Sequence, residues 1–561
     1  MNAALLALVT FALFALAYRF YARFLSVKIF SLADDEPVPS REYQDGIDFV
    51  PTRKEVLWGH HFTSIAGAAP IVGPAIAVIW GWVPALLWVV VGTVMMGAVH
   101  DFSALVISLR NRGRSIGEIA GSVISPRVRT LFMLIVCFLI WIVLAVFAFI
   151  IGTLFHANPG AIFPINIQIL VALLLGWLIY RRGVQLLLPS LVGYAVLLVS
   201  IFYGNAFAEA FPVITRISVS TWVWILLAYS FVASVLPVWL LLQPRDYLNA
   251  HQLITGLALL TLGLVVLQPS VVAPAFNLNP EGAPPMIPFL FITIACGAIS
   301  GFHGLVASGT TSKQLGCARD ARAIGYGGML GEGTLGMMAV LASTAGFASF
   351  ADWSGHYASW GAASGLSAKL DAFVTGGATF VASLGIPLAT GKTLIAVMVI
   401  AFAATSLDTG ARIQRLVIAE LAHAYGFKPL TNRFAAGAVG IGAALLLAVT
   451  SAGGKGGLIL WPLFGTTNQL VAGVTLLVVS IWLRRQGRPV VYTLIPMLLV
   501  ASATIVAMLR EVTSYYTHFG EQWLLAGMGS IILLCDVWVV LEGLRVLVGV
   551  SRPEAPVGAT G

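Results

Sequence analysis

Three of the nine histidines, His60, His61 and His303, stand beside glycines and small hydroxyl residues inside apolar runs. Imidazole is the side chain whose charge changes near neutral pH, so these rings can take up a proton or donate to a carboxylate. A lone histidine in such a run is more often a hydrogen-bonded packing residue. Ser64, Ser300 and Ser308, with Thr310 and Thr311, offer hydroxyls at the same level, although membrane helices also use them for close packing. Glu332, in GGMLGEGTLGMM, is set among glycines in an apolar run. A charged carboxylate is costly there, which makes it the first candidate for a membrane-embedded proton site; the alternative is a buried salt bridge. His100 and Asp101 come near the end of another run, with Arg110 about two and a half turns on, and suit a proton relay or a gate-side hydrogen bond.

In ATSLDTGARIQR, Thr405 and Ser406 are hydroxyl ligands for a hard cation, to be completed by backbone carbonyls freed around Gly67. Asp408 and Arg412 have the i,i+4 spacing of an ordinary helical ion pair, and that pairing is the reading favoured for Asp408. WPLFGTTNQL, from Trp461 to Leu470, places Asn468 and Gln469 at a span's start, where their amides can reach a polar substrate or satisfy neighbouring backbone. No zinc-ligand spacing occurs: Cys137, Cys296 and Cys535 are scattered in apolar runs and Cys317 lies in a loop. Neither a disulfide framework nor a metal site is expected. Phosphate-binding loops, HExxH helices and GxSxG elbows are absent from the sequence. The chain therefore reads as neither a hydrolase nor a group-transfer enzyme, with no catalytic residue and no cofactor.

These residues need elements that hold them at membrane depth. The stretch WGHHFTSIAGAAPIVGPAIAVIWG, Trp58 to Gly81, is long enough to span a bilayer but is interrupted by Gly67, Pro70, Gly73 and Pro74. Interruptions free backbone groups that survive in a membrane only where they line a cavity or meet an ion or ligand. Ile299 to Gln314, ISGFHGLVASGTTSKQ, repeats the theme in the second half. Two discontinuous helices, around 58–80 and 298–314, and two inverted repeats are expected, as in broken-helix carriers.

Hydrophobic residues make up 59% of the 561 and charged residues 10%, which excludes a soluble globular protein. One all-α polytopic membrane domain over 1–561 is expected, with a flexible tail from 549. Apolar runs give fifteen spans: 1–25, 58–80, 83–109, 130–155, 164–181, 186–204, 221–243, 252–268, 288–310, 325–348, 386–407, 434–450, 458–483, 490–509 and 523–547. Alternation from an external N-terminus puts 26 Lys and Arg inside and four outside, and the C-terminus in the cytoplasm. The first span has its basic residues after it, unlike a signal peptide. The polar loop 26–57 should lie against the helices, and Trp353, Trp360 and Phe373 could form an interfacial helix in 349–385. The net charge of +8 follows from loop topology and implies no nucleic acid; oligomeric state is not readable.

GHHFTSIAGAAPIVGP (59–74), GAVHDF (97–102), SGFH (300–303), YGGMLGE (326–332), TSLDTGAR (405–412) and WPLFGTTNQL (461–470) resemble motifs of the carbon starvation protein A family. Members resemble LeuT-like broken-helix secondary transporters and are linked to peptide uptake and to proton-coupled pyruvate uptake in nutrient limitation. The resemblance implies a symporter of the bacterial inner membrane for a small-molecule substrate, pyruvate first and peptide second, with H+ and possibly Na+ as coupling ion. SGFH is followed here by GLVASGTTSKQ rather than the Thr-Gln-Ser-Pro type of sequence common in the family. The residues expected to serve substrate are His60, His61, Ser64, Gly67, Ser300, His303, Ser308, Asn468 and Gln469. Those expected to serve coupling are Glu332, His100, Asp101, Thr405, Ser406 and Asp408. A membrane nutrient sensor is the alternative from another class.

Overall fold

The computed structural model describes residues 1–33, 35–185, 187–450 and 456–549. Asp34, Lys455 and the tail beyond Gly549 lie outside the described residues. The chain is helical throughout, with two isolated bridges, Asn2 to Ser270 and Thr52 to Leu315, as the extended pairing among the described residues. In order the helices are α1 (Ala3–Ile29), α2 (Lys54–Ile65), α3 (Ala69–Trp80), α4 (Trp82–Arg110) and α5 (Ile116–Val123). There follow α6 (Pro126–Ala157), α7 (Pro159–Arg182), α8 (Leu187–Ala210), α9 (Val219–Val235) and α10 (Leu242–Leu267). The second half holds α11 (Met286–Thr293), α12 (Gly301–Gly309), α13 (Ala318–Ala345), α14 (Phe350–His356) and α15 (Leu366–Ala382). The last are α16 (Leu388–Ala424), α17 (Arg433–Val449), α18 (Trp461–Arg485), α19 (Val491–Thr517) and α20 (Phe519–Gly549).

The first broken helix is α2/α3, bent by 44°. Its interruption is shorter than the four breakers suggest. Helical geometry fails at Ala66 to Ala68 alone, while Pro70 sits in the first turn of α3, where a missing N–H costs nothing. Pro74 is inside α3 and leaves the carbonyl of Pro70 without its helical donor. Gly73 serves a different purpose: a Cβ there would lie 2.2 Å from the Thr293 carbonyl oxygen at the end of α11. Gly73→Ala is accordingly expected to destabilise the chain by about 1–3 kcal/mol or more, since backbone cannot yield as a side chain does. Thermal unfolding of the detergent-purified variant checks this.

The second broken helix is α11/α12, and its break falls earlier than expected. Residues 301–309 are helical, and the non-helical segment is 294–300. Gly297 is the cause, with φ of +90°, and a Cβ on it would touch Pro70. The two breaks therefore meet. Gly301 and Gly304, which looked like breakers, are close-packing positions against the Asn468 carbonyl and the His100 ring.

Two sets of helices pack in the same pairwise order. α10 lies on α2 as α18 lies on α12; α9 lies on α6 and α16 as α17 lies on α16 and α6; α6 and α16 run along each other. The sets are α2/α3, α4, α6, α9, α10 and α11/α12, α13, α16, α17, α18. The α7–α8 hairpin is an insertion in the first set and α14–α15 in the second.

The expected fifteen spans are not confirmed. Ten single helices among the described residues are long and apolar enough to cross a membrane, and two bent pairs, α2/α3 and α13/α14, bring the total to twelve. The difference lies in α9 and α17, which are shorter apolar helices, and in the division of 288–310 between α11 and α12. Nor is 349–385 an interfacial helix. Trp353 and Phe373 are buried in protein, and Gly376 of α15 presses on the Ala342 carbonyl of α13.

Candidate functional site

Where α4, α12 and α13 meet, four ionisable side chains are fully buried: His100, Asp101, His303 and Glu332. A π-helical turn at Thr93–Gly97 precedes the pair on α4, a local irregularity common at working sites. It lets Thr93 Oγ1 donate to the Gly297 carbonyl at 2.8 Å. Asp101 lies 2.8 Å from His100 Nδ1 through one oxygen and 3.1 Å from His303 Nδ1 through the other. His303 Nε2 then lies 3.2 Å from Glu332 Oε2. The other Glu332 oxygen accepts the backbone N–H of Gly297, in the break, at 3.0 Å. One imidazole thus stands between two carboxylates, an arrangement that can gain or lose a proton without moving its rings. Glu332 and the His100–Asp101 pair, separate candidates in the sequence, belong to one chain of contacts.

The cavity beside it has a volume of about 320 Å³. Its walls are Ala69 and Gly73 of α3, Thr293 at the end of α11 with Ala295 and Cys296 of the second break, Trp461, Phe464 and Gly465 of α18, and Trp360 and Leu366 of the α14–α15 insertion. Two ionisable side chains, one basic and one acidic, border it, Lys369 and Glu511. The Lys369 ammonium sits 5.2 Å above the Trp461 ring, and Glu511 accepts from Thr466 Oγ1 at 2.7 Å.

The expected substrate residues are placed around the cavity rather than on its wall. Asn468 Oδ1 accepts the Phe302 N–H at 2.8 Å and so caps the N-terminus of α12, while its amide donates to Ser300. Gln469 donates to the Phe291 carbonyl. Ser308 lies at the far end of α12, where it accepts the Ile116 N–H. His61 Nδ1 is 3.0 Å from Thr311 Oγ1.

His60 belongs to a second buried network. Its Nδ1 is 2.6 Å from Asp246, and Arg245 joins Asp246 at 3.0 Å and Asp408, with Tyr229 donating to Asp408 at 2.9 Å. Asp408 therefore does not pair with Arg412, the partner its spacing suggests. Arg412 reaches Asp48 instead, at 2.6 Å. Ser406 Oγ donates to the Ser64 carbonyl at 2.8 Å and crowds Gly67, as a cation site would require. Thr405 turns away, donating to Ala401 O and accepting from Asn249. Arg245 and Asp246 look like loop residues in sequence, because their run separates two apolar stretches. The detectable signal is helical: Gln243, Asp246, Asn249 and Gln252 recur every third residue and all are buried in α10. Lys369 and Glu511 carry no local signal.

On the face bearing the Arg-rich loops, residues 35–53 strap four elements together, so this part of the polar loop does lie against the helices. Arg110 grips Glu36 through two nitrogens, at 3.0 and 2.6 Å. Thr52 N–H donates to Gln314 O, Val238 N–H to Ile47 O, and Asp48 binds Arg412 and Arg415. Burial alone would raise the Asp48 carboxyl, but Arg412, Arg415 and Lys313 outweigh it and hold it well below the usual carboxylate range. A depressed carboxyl stabilises above its ordinary value near 4 and loses that stabilisation only as pH falls through the lowered value. The strap should thus be indifferent to pH between about 5 and 8. Asp48→Asn is expected to cost about 3 kcal/mol, the low end for removing one partner of a buried pair, equally at both ends of that range. Melting curves at the two pH values check it.

The family model for "Carbon starvation protein CstA" matches residues 2–354 and 348–507. The chain is 33% identical over 573 residues to the peptide transporter CstA of Campylobacter jejuni, covering 90% of this chain and 79% of that one. It is 40% identical over 348 residues to the pyruvate/proton symporter BtsT of Escherichia coli, covering 59% of this chain and 48% of that one. Among solved structures, the Eremococcus coleocola manganese transporter in complex with an aromatic bis-isothiourea substituted compound shares the fold, with a TM-score of 0.53 at 12% identity. That likeness covers 90% of this chain and 99% of that one. With two broken helices whose breaks touch, a cavity at their crossing and a family match over most of its length, this chain is a multi-pass membrane protein of transporter fold and belongs to the carbon starvation protein CstA family.

Proposed function

We propose that the chain is a secondary active carrier, not an enzyme, that takes up a small carboxylate together with a proton, pyruvate being the first candidate. One observation carries this reading: Gly297 lies in the segment whose neighbours Thr293, Ala295 and Cys296 wall the cavity, and its N–H is held by Glu332 at the end of the Asp101–His303–Glu332 chain. Adding a proton to Glu332 removes an ionised acceptor from that N–H, so proton occupancy and the shape of the cavity wall are linked through one peptide group. The substrate carboxylate meets Lys369 and the N-terminus of α3 at Ala69, whose first-turn N–H groups carry the positive end of the helix dipole. The membrane is the bacterial plasma membrane. The Arg-rich face with the strap is cytoplasmic.

A peptide substrate is favoured by a separate observation, the presence of both Lys369 and Glu511 on the cavity wall, one for each end of a zwitterion. Counterflow in proteoliposomes with labelled pyruvate and labelled dipeptides decides between them. Flux of neither, with binding retained, would favour a sensor. Sodium is disfavoured as coupling ion because Thr405 turns away from the first break, donating to the Ala401 carbonyl and accepting from Asn249, so its oxygen is not offered beside Ser406. The wild type is expected to accumulate substrate under a pH gradient in sodium-free buffer, and Thr405→Ala with Ser406→Ala should keep that activity within about tenfold, a loss of about 1.4 kcal/mol or less. Accumulation driven by sodium with the pH gradient collapsed, and none by pH alone, would overturn proton coupling.

A further inference from the structure

We propose that Cys296, His303 and Glu332 form a binding site for a borderline-soft divalent cation of the Zn2+ or Co2+ type. Cys296 and His303 are seven residues apart and Glu332 comes from α13; the non-helical segment 294–300 brings the thiol to the other two. Each is buried, and one ligand atom from each lies within 4.8 Å of the others. His303 Nε2 and Glu332 Oε2, 3.2 Å apart, are close to the edge length of a coordination tetrahedron with bonds of about 2.1 Å. Neither atom has an aligned hydrogen-bond partner, although both are fully enclosed. They meet at ion-pair distance without hydrogen-bond alignment and converge with the Cys296 thiol on one point, the donor arrangement a cation takes.

The surroundings are those a metal site needs. Asp101 holds His303 Nδ1 at 3.1 Å, which fixes the ring so that Nε2 is presented, the arrangement found behind metal-ligating histidines. The Gly297 N–H engages the other Glu332 oxygen and leaves Oε2 free. Cys296 makes only long sulfur contacts, to Ser300 at 3.4 Å and from Asn468 at 3.5 Å, and it borders the cavity. The cavity supplies an entry path and a fourth position for water. Binding converts the thiol to a thiolate, S–H giving S–metal with release of one proton to solvent. Thiolate, imidazole and carboxylate together select Zn2+ or Co2+ over the all-oxygen preferences of Mg2+ and Ca2+. An ion there sits on the two atoms between which the proton would pass, so it blocks proton-driven uptake; this consequence, unlike binding itself, rests on the proposed function.

Titration of the purified full chain with Co2+ tests the site. One ion per chain is expected, with a thiolate-to-cobalt charge-transfer band that Zn2+ abolishes. Cys296→Ser should lose the band and bind at least about tenfold more weakly. A chain keeping Cys296, with Cys137, Cys317 and Cys535 changed to Ser, should keep the band, and it decides the matter if Cys296→Ser fails to fold. No band in the wild type, a band that survives in Cys296→Ser, or its loss from the folded Cys296-only chain would each overturn the site. In proteoliposomes, Zn2+ should abolish pH-driven uptake. Uptake that persists with Zn2+ bound would overturn the proton route through Glu332, not the metal site.

Discussion

Glu332→Gln is expected to reduce substrate accumulation driven by a pH gradient to the level of protein-free liposomes, while exchange of labelled for unlabelled substrate continues. Gln keeps an oxygen that can accept the Gly297 N–H, which the carboxylate holds at 3.0 Å, so the break and the cavity wall stay formed. What it removes is the protonatable atom 3.2 Å from His303 Nε2. Exchange needs no net proton movement and should survive within about tenfold, whereas accumulation against a gradient requires it. Asp101→Asn is the informative companion. It keeps one oxygen but can serve only one of His100 and His303 as the carboxylate does, so both accumulation and exchange should fall as His303 loses its orientation. Glu332→Gln with undiminished pH-driven accumulation would remove Glu332 from the proton path.

What could be read from the sequence follows from what is local. Gly67 and the prolines after it announce the first break because backbone constraint is written in consecutive residues. The second break is expected too late in the chain because GFHG looks like an interruption, while the residue that enforces it, Gly297, stands alone in an apolar run and shows its need only as a positive φ. Histidines and Glu332 stood out as ionisable groups in apolar surroundings, yet nothing in their spacing joins Asp101 to His303 or His303 to Glu332. Asp408 shows the limit most plainly. Its i,i+4 neighbour Arg412 is the partner that helical periodicity offers, and the tertiary fold overrides it with Arg245, on another helix. Cavity walls are less legible still. Lys369 looks like a loop lysine until α15 folds it over Trp461.

Arg245→Ala should be the most destabilising single substitution in the chain outside the close-packed glycines. The guanidinium is 2% exposed and is the shared cation of Asp246 and Asp408, each fully buried. Removing it leaves two carboxylates in a medium that solvates them poorly, and breaking such a pair costs about 3–5 kcal/mol. Arg245→Lys should recover only part of this, because a single ammonium cannot span Asp246, Asp408 and the Tyr229 hydroxyl as the planar fork does. The sharper measurement is a double-mutant cycle of Arg245→Gln with Asp408→Asn. Arg245→Gln alone leaves both carboxylates without their shared cation and Asp408→Asn alone takes from Arg245 one of its two partners, whereas together they leave an amide pair that can hydrogen-bond, so the double variant should be more stable than the sum of the singles by about 1–3 kcal/mol. The network also ties α10 to α16 and, through His60, to the first half of the broken helix α2/α3. Stability and transport should therefore fall together in Arg245→Ala and return together in the double variant. Additive losses in the cycle would mean that Arg245 and Asp408 are neighbours without energetic coupling, and the network would then be packing rather than a joint between the repeats.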